Sequence, residues 1–349
     1  MLRNCYNTGA GALACVIALA LSLPAASQEL TIVGAGGALQ DAERKAFFEP
    51  FAEQFKVKVV EDTYTGEMAK VRAMVMANQV TWDVMQIDST EMLRGCEEGL
   101  FEKLDWSKIA NRDDFLPGAT SDCGAGAFAW GFVTSYDKTK MAEGPKSWAD
   151  FFDLKKFPGK RGVRATARLT LETALFADGV PASEVYQVLA TPEGVDRAFA
   201  KLDEIKAETV FWGSGAESIE RLVAGDVAIT TTFNGRVTAA NQKGKDLAIH
   251  WDGQIYGQDY WGIVKGSPRL ELAEQFIKFA STPEIQKEFP KYITYGILNK
   301  KGIELVDPSL LADMPTAPEN LKSATALSSE FWADYGEELE ERFKAWQAK

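Results

Sequence analysis

Apolar and polar positions along this chain alternate in two rhythms, one of period two and one of helical spacing. A β-type run over 29–33 is followed by Gly34-Ala35-Gly36-Gly37 and then by a helical pattern over 41–55. A strand feeding a glycine turn and a helix opens an α/β unit. The pattern predicts a strand over 56–60, a helix over 67–78 with Met68, Val71 and Val75 on one face, and a buried strand over 82–87 that ends at Asp88 and Ser89. Segments 99–104 and 125–134 continue the alternation. Near Tyr136 the texture turns polar, and Ser147 is placed to cap a short helix that stops before Phe157-Pro158-Gly159, an entry into a second lobe. There 169–177, 192–205 and 216–224 read as helices, the last stopped by Gly225, and 227–232 reads as a strand. Asn234-Gly235 reads as a turn before a helix over 236–242. After the 260–264 run comes a strongly periodic helix over 270–280. A last helix over 328–348, apolar at Phe331, Trp332, Tyr335, Leu339 and Phe343, is expected to pack as an outer strut.

The first residues follow a different logic. Arg3, an apolar run over 13–23 and the small-residue stretch Pro24-Ala25-Ala26-Ser27 form the three parts of a secretory signal peptide, so 1–27 is expected to be removed. The apolar run is shorter than the roughly 20 residues that span a bilayer. Removal takes Cys5 and Cys15 with it. Cys96 and Cys123 then remain, either as a disulfide in an oxidising compartment or as two buried thiols.

Length and charge narrow the classes further. At 349 residues the chain is long enough for two domains, and 46% apolar with 25% charged residues is ordinary globular usage. The net charge of −12, with no dense Lys/Arg run, argues against nucleic acid as a partner. A single histidine, His250, removes multi-histidine metal sites. No metal or cofactor is expected.

Catalytic patterns are absent from the sequence. Gly34-x-Gly36-Gly37 lacks the third glycine of a dinucleotide fingerprint, Leu39 standing in its place, and there is no Gly-x-Ser-x-Gly or His-Glu-x-x-His. Acid pairs such as Asp113-Asp114 or Glu97-Glu98 read as solvated surface. The informative positions follow predicted strands, because α/β sheets bind ligands outside the carboxyl ends of their strands. Those are Gly36-Gly37, Asp88-Ser89, Trp130, the stretch from Phe233 to Arg236, and Asp259-Tyr260. Arg236 suits a carboxylate or a surface ion pair, and Asp259 a cation or a turn. Trp130, Trp212 and Phe233 suit either an apolar pocket wall or plain core.

Several motifs, in order along the mature chain, resemble the spermidine/putrescine-binding family of periplasmic solute-binding proteins. They are Phe47-Phe48-Glu49-Pro50-Phe51, Trp82-Asp83-Val84, Ser147-Trp148-Ala149-Asp150-Phe151, Phe157-Pro158-Gly159-Lys160-Arg161, Gly225-Asp226-Val227, Phe233-Asn234-Gly235 and the 276–288 segment. The resemblance implies a two-lobed α/β fold of the type II binding-protein kind, with a two-crossover hinge and a ligand cleft between lobes. Its expected lobes are 28–134 with 265–349, and 135–264. It also implies a non-enzymatic, monomeric periplasmic protein that delivers a small molecule to a membrane ABC permease; presentation of the ligand to a signalling receptor is an alternative.

The pocket departs from the polyamine pattern. The first loop lacks the family's aromatic-acidic pair, and the acidic stretch expected in the second lobe reads Arg164-Ala165-Thr166-Ala167-Arg168. Asp259 matches a family amine-binding aspartate and Phe233 a family tryptophan, while Arg236 adds a cation for which a polyamine has no use. The pocket therefore resembles that of the gamma-aminobutyrate-binding relatives, with Arg236 on the carboxylate, Asp259 on the ammonium, and Trp130, Phe233 and Tyr260 around the methylenes. A polyamine ligand is the alternative, and an enzyme that recruited the scaffold, with Asp88 as base, is a second.

Overall fold

The computed structural model describes residues 28–349 apart from 65 and 67, so the expected signal segment lies outside the described residues. The strands, in chain order, are β1 (Glu29–Gly34), β2 (Lys58–Thr63), β3 (Val84–Asp88), β4 (Gly124–Asp137), β5 (Arg161–Arg164), β6 (Thr209–Trp212), β7 (Ile229–Phe233), β8 (Leu247–Ile263) and β9 (Thr325–Ala326). The principal helices are α1 (Gly37–Glu43), α2 (Glu49–Phe55), α3 (Met68–Met76), α4 (Ser89–Glu97), α5 (Trp148–Phe152), α6 (Thr170–Ala177), α7 (Pro192–Asp203), α8 (Gly215–Ala224), α9 (Asn234–Gln242), α10 (Leu270–Ala280) and α11 (Ser329–Gln347).

The sheet runs β2-β1-β3-β8-β4-β7-β5-β6, with β9 added on β8. β1 pairs parallel with β2 and β3 at one end, and β5 pairs parallel with β6 and β7 at the other. Between them β4 and β8 run antiparallel, from Gly124 opposite Gly262 to Asp137 opposite Leu247. β3 meets β8 only over 259–263, whereas β7 meets β4 only over 132–136. Each half of the sheet thus hangs from a different end of one shared ladder, which gives the two-lobed α/β architecture. The ladder slips register between Gly126 and Phe128 and again between Phe132 and Thr134, and such irregularities bend and twist a pair of strands.

Helix signals held where caps and apolar stripes agree. Ser147 caps α5 by accepting from the Asp150 N–H at 3.1 Å, and Gly225 ends α8 in the left-handed region at φ 86°. α10 occupies the predicted 270–280, burying Phe276 and Ile277 against a core that includes Phe48, Phe51 and Trp261. The turn before β5 has a packing reason: fully buried Arg161 donates to the carbonyls of Phe151, Asp153, Phe157 and Gly159, so one guanidinium closes the α5–β5 connection.

Three expectations differ. The 99–104 strand reduces to one bridge, Phe101 with Val264, because the chain leaves α4 through Gly99 at φ 71° and turns away after that contact. The 260–264 run is only the end of β8, which begins at Leu247; its polar and glycine positions hid the period. Asn234-Gly235 is no turn but the start of α9. The Asn234 amide accepts from the Gly131 N–H at 2.9 Å and donates to the Thr294 carbonyl at 2.8 Å, while a side chain at position 235 would meet Ile293 and Tyr295.

α11 buries Phe331, Trp332, Leu339 and Phe343 and leaves Tyr335 40% exposed. It lies against the β5–β6 half, with Phe343 and Trp346 touching Phe199 and Phe211. Cys96 and Cys123 are bonded, with Cα atoms 5.8 Å apart, and so tie the end of α4 to the start of β4. Closing a loop of that span contributes about 3 kcal/mol by restricting the unfolded chain. The double variant Cys96→Ser/Cys123→Ser should lose about that much in equilibrium urea unfolding while keeping its far-ultraviolet circular dichroism; an unchanged midpoint would overturn the assignment of a stabilising role.

Candidate functional site

The carboxyl ends of β1, β3, β5 and β7 converge on the bend of the β4–β8 ladder, and a cavity of about 180 Å³ opens there. Its floor is Trp130 and Phe128 from β4 with Asp259 from β8. Trp130 stands opposite Gly257, and a Cβ at that glycine would lie 2.4 Å from the indole; the glycine makes room for the ring. Phe233 meets Trp130 edge to face at 5.3 Å, and Leu39 and Tyr295 complete the apolar wall.

Asp259 is 6% exposed and accepts from Trp130 Nε1 at 2.7 Å and from Gln86 Nε2. Both donors are neutral, and no cation stands within ion-pair distance among the described residues. Asp88 lies directly across the β3–β8 ladder from it. Burial first, and the Asp88 charge second, push Asp259 up to about 7. It is therefore a carboxyl that gains from the arrival of a cation.

Arg236, 7% exposed, reaches from the first turn of α9 to the opposite side of the cavity, where Nη1 donates to the Gly36 carbonyl at 3.2 Å. A Cβ at Gly37 would sit 2.9 Å from that nitrogen. The Gly36-Gly37 turn, both residues at positive φ, thus accommodates the arginine; neither glycine lines the cavity, although neighbouring Ala35 does. Arg236 has no carboxylate within ion-pair distance among the described residues, and its Nε is buried without a hydrogen-bond partner among them. Glu43, wholly buried nearby, is pushed well above the usual carboxylate range by that burial, so it adds little negative charge.

Across the cavity Arg168 makes a bidentate pair with Asp88, both contacts at 2.8 Å. Burial alone would raise the Asp88 pKa, but the guanidinium outweighs it and holds the carboxyl below its ordinary value. Asp88 also caps α4, accepting from the N–H groups of Thr90 and Glu91. Glu91 pays the opposite consequence: burial and the Asp88 charge push it up to about 8. Arg164 stacks over Phe233 with its Cζ 5.4 Å from the ring centre, and burial together with the Arg168 charge pulls it down to about 10. The lining holds three arginines and three carboxyls, yet two of the carboxyls titrate at or above neutrality. At neutral pH the cavity leans positive.

Of the residues singled out in the sequence, the cavity gathers Arg236, Asp259, Trp130, Phe233 and Asp88. Besides Gly36 and Gly37, three others lie elsewhere. Tyr260 neighbours Asp259 on a strand and so points to the other face, into the cluster with Met92 and Phe101, where its hydroxyl donates to the Gly118 carbonyl. Trp212 is 1% exposed and packs behind Phe233 as core. Ser89 faces Ser329, their hydroxyl oxygens 2.7 Å apart. Sequence reasoning did not assign Gln86, Glu91, Arg164 and Arg168 to the cavity; the two arginines were visible as replacements in an acidic stretch, but nothing local linked them to Asp88.

A family model for bacterial extracellular solute-binding protein matches residues 46–318. A gamma-aminobutyric acid-binding protein of Pseudomonas aeruginosa is 49% identical over 333 residues, which cover 95% of this chain and 95% of the relative. A spermidine/putrescine-binding periplasmic protein of Salmonella typhimurium is 23% identical over 300 residues, 83% of either chain. A solved GABA receptor superposes with a TM-score of 0.82 at 33% identity, covering 92% of this chain and 98% of that one.

The Asp259 carboxyl has a testable signature in the unliganded protein. Its unfolded value lies near 3.8 and its folded value about 7, so between them the folded state holds a proton that the unfolded state has lost. Its contribution to stability is present below pH 4 and is lost as the pH rises to 7. Asp259→Asn should flatten that part of the stability–pH curve measured by urea unfolding; a variant with the parent's slope would contradict the raised value.

Proposed function

The chain belongs to the bacterial extracellular solute-binding protein family, and from that premise we propose that it captures gamma-aminobutyrate in the periplasm and delivers it to a membrane ABC permease. One observation carries the ligand: among the described residues, the cavity offers a guanidinium without a carboxylate and a carboxylate without a cation, on a shared apolar wall. A short ω-amino acid supplies both missing partners. Its carboxylate pairs with Arg236, its ammonium with Asp259, and its methylenes lie against Trp130, Phe233 and Phe128. The gamma-aminobutyrate-binding relative at 49% identity supports this reading.

A diamine fits the same wall less well. One ammonium would satisfy Asp259, but the other would approach Arg236 and Arg164, neither of which has an acidic partner within ion-pair distance among the described residues. Like charges brought together out of water cost several kcal/mol.

The proposed cycle needs movement of the lobes. Lobe one comprises 28–134 with 265–349 and lobe two 135–264, with α11 packed both on α4 of the first lobe and on the β5–β6 half of the second. The β4–β8 ladder is the hinge, since its register slips allow bending without breaking the sheet. The signal segment 1–27 directs export, and the protein works as a monomer without a cofactor.

Calorimetry with gamma-aminobutyrate and putrescine tests the ligand. Arg236→Ala should weaken the amino acid by about 2 kcal/mol or more, as expected for a desolvated charge contact, with thermal stability nearly unchanged; tighter binding of putrescine by the parent protein would defeat the proposal. The pH dependence has a set sign. Below about pH 7 the ammonium must displace the Asp259 proton, so affinity falls toward tenfold per pH unit, and Asp259→Asn should abolish that slope.

A further inference from the structure

The Asp88–Arg168 pair joins the two lobes at the edge of the cavity, yet Arg168 stands on irregular backbone. The segment between β5 and α6 contains Leu169 at φ 73° although it is wholly buried, a conformation that a leucine keeps only when its surroundings impose it. The N–H groups of Ala167 and Arg168 find no partner in β5 or α6. Both donate instead to the carboxylate of Glu340, at 3.0 and 3.2 Å, from a helix 172 and 173 positions further along the chain.

The same helix reaches the other member of the pair. Ser329, the first residue of α11, has its hydroxyl 2.7 Å from that of Ser89, next to Asp88. Between the two contacts Trp332 Nε1 donates to the buried Glu172 carboxylate at 2.7 Å. Eleven residues of helix span roughly 16 Å, so one rigid rod touches a neighbour of each partner in the ion pair. The Glu340 oxygens are engaged by backbone, and among the described residues the Arg168 guanidinium hydrogen-bonds only to Asp88.

We propose that Glu340 is a positioning residue for ligand capture: by fixing the backbone at 167–168 it presents Arg168 to Asp88 across the cleft and so slows release of the ligand. Arg168 touches the cavity and Glu340 does not; Glu340 acts through it. The effect on release rests on the reading of the cavity as a ligand site, whereas the effect on Arg168 does not.

Glu340→Gln is the informative variant. It keeps the shape and one acceptor, but its amide nitrogen faces the second N–H. Two measurements separate the claims. In the ligand-free protein labelled with [15N]arginine, the Arg168 Nη–H resonances should be resolved while the guanidinium is locked on Asp88 and should merge and broaden in Glu340→Gln. Surface-plasmon kinetics with gamma-aminobutyrate should show a dissociation rate raised about tenfold, the scale of one charge-assisted hydrogen bond, with the association rate unchanged. Glu340→Gln and Arg168→Ala combined should release ligand no faster than Arg168→Ala alone. Arg342→Ala, which loosens α11 at Asp196 instead, should match the parent in both measurements. Resolved Nη–H signals in Glu340→Gln, or additive rates in the double variant, would overturn the proposal. Absence of any binding by the parent would refute the assigned ligand and leave the resonance test to decide the role of Glu340.

Discussion

The β4–β8 ladder is where both halves of the protein are hydrogen-bonded, and the cavity exists because that ladder is imperfect. A regular antiparallel pair would carry the sheet straight through. Instead two register slips bracket Trp130, bend the strands, and leave the carboxyl ends of the flanking parallel strands facing one another across a gap. Glycines at 131 and 257 keep the bend passable. A side chain at 257 would collide with Trp130, and one at 131 with Gln254. The hinge, the cavity floor and the aromatic wall are consequences of the same interrupted pairing.

Charge in the cavity follows from the order in which burial is compensated. Asp88 is stabilised by a bidentate guanidinium and two helix N–H groups, so it stays ionised. Burial pushes its neighbours Asp259 and Glu91 toward the neutral form, and the Asp88 charge adds to that push. A chain of net charge −12 therefore encloses a cavity short of negative charge at neutral pH, with Arg236 and Arg164 lacking acidic partners within ion-pair distance among the described residues. The acid excess lies mainly on the surface, at exposed carboxylates such as Glu97, Glu338 and Glu341, where it contributes solubility more than stability.

How much was legible depended on whether the signal was local. α5 was readable because the Ser147 cap and an apolar stripe coincide within a few residues, and α10 because its apolar stripe is strongly periodic. β8 was not, since a hinge strand must satisfy different neighbours along its length and so shows no single period. Asn234-Gly235 has the composition of a turn, but the asparagine is held by Gly131 and Thr294 and the glycine is required by Tyr295, contacts of high sequence separation. Within the site, Arg236 and Asp259 stood out because each is an isolated charge at a strand end. Tyr260 and Trp212 stood out only as aromatics beside such positions and were placed elsewhere by side-chain alternation and by packing behind Phe233.

By itself the sequence determined the alternation of strand and helix and the change of texture that opens a second lobe, because those follow from periodicity and composition; the binding-protein class and the pairing of Arg236 with Asp259 around a zwitterion came from the family resemblance. The tertiary structure decided which charges meet. Asp88 finds Arg168 80 positions away, Arg236 reaches Gly36 at 200, and Glu340 steadies the 167–168 backbone from the other end of the chain. Hydrogen bonds and ion pairs act over a few ångströms, and a linear pattern carries no record of which distant segments the bent ladder will bring that close.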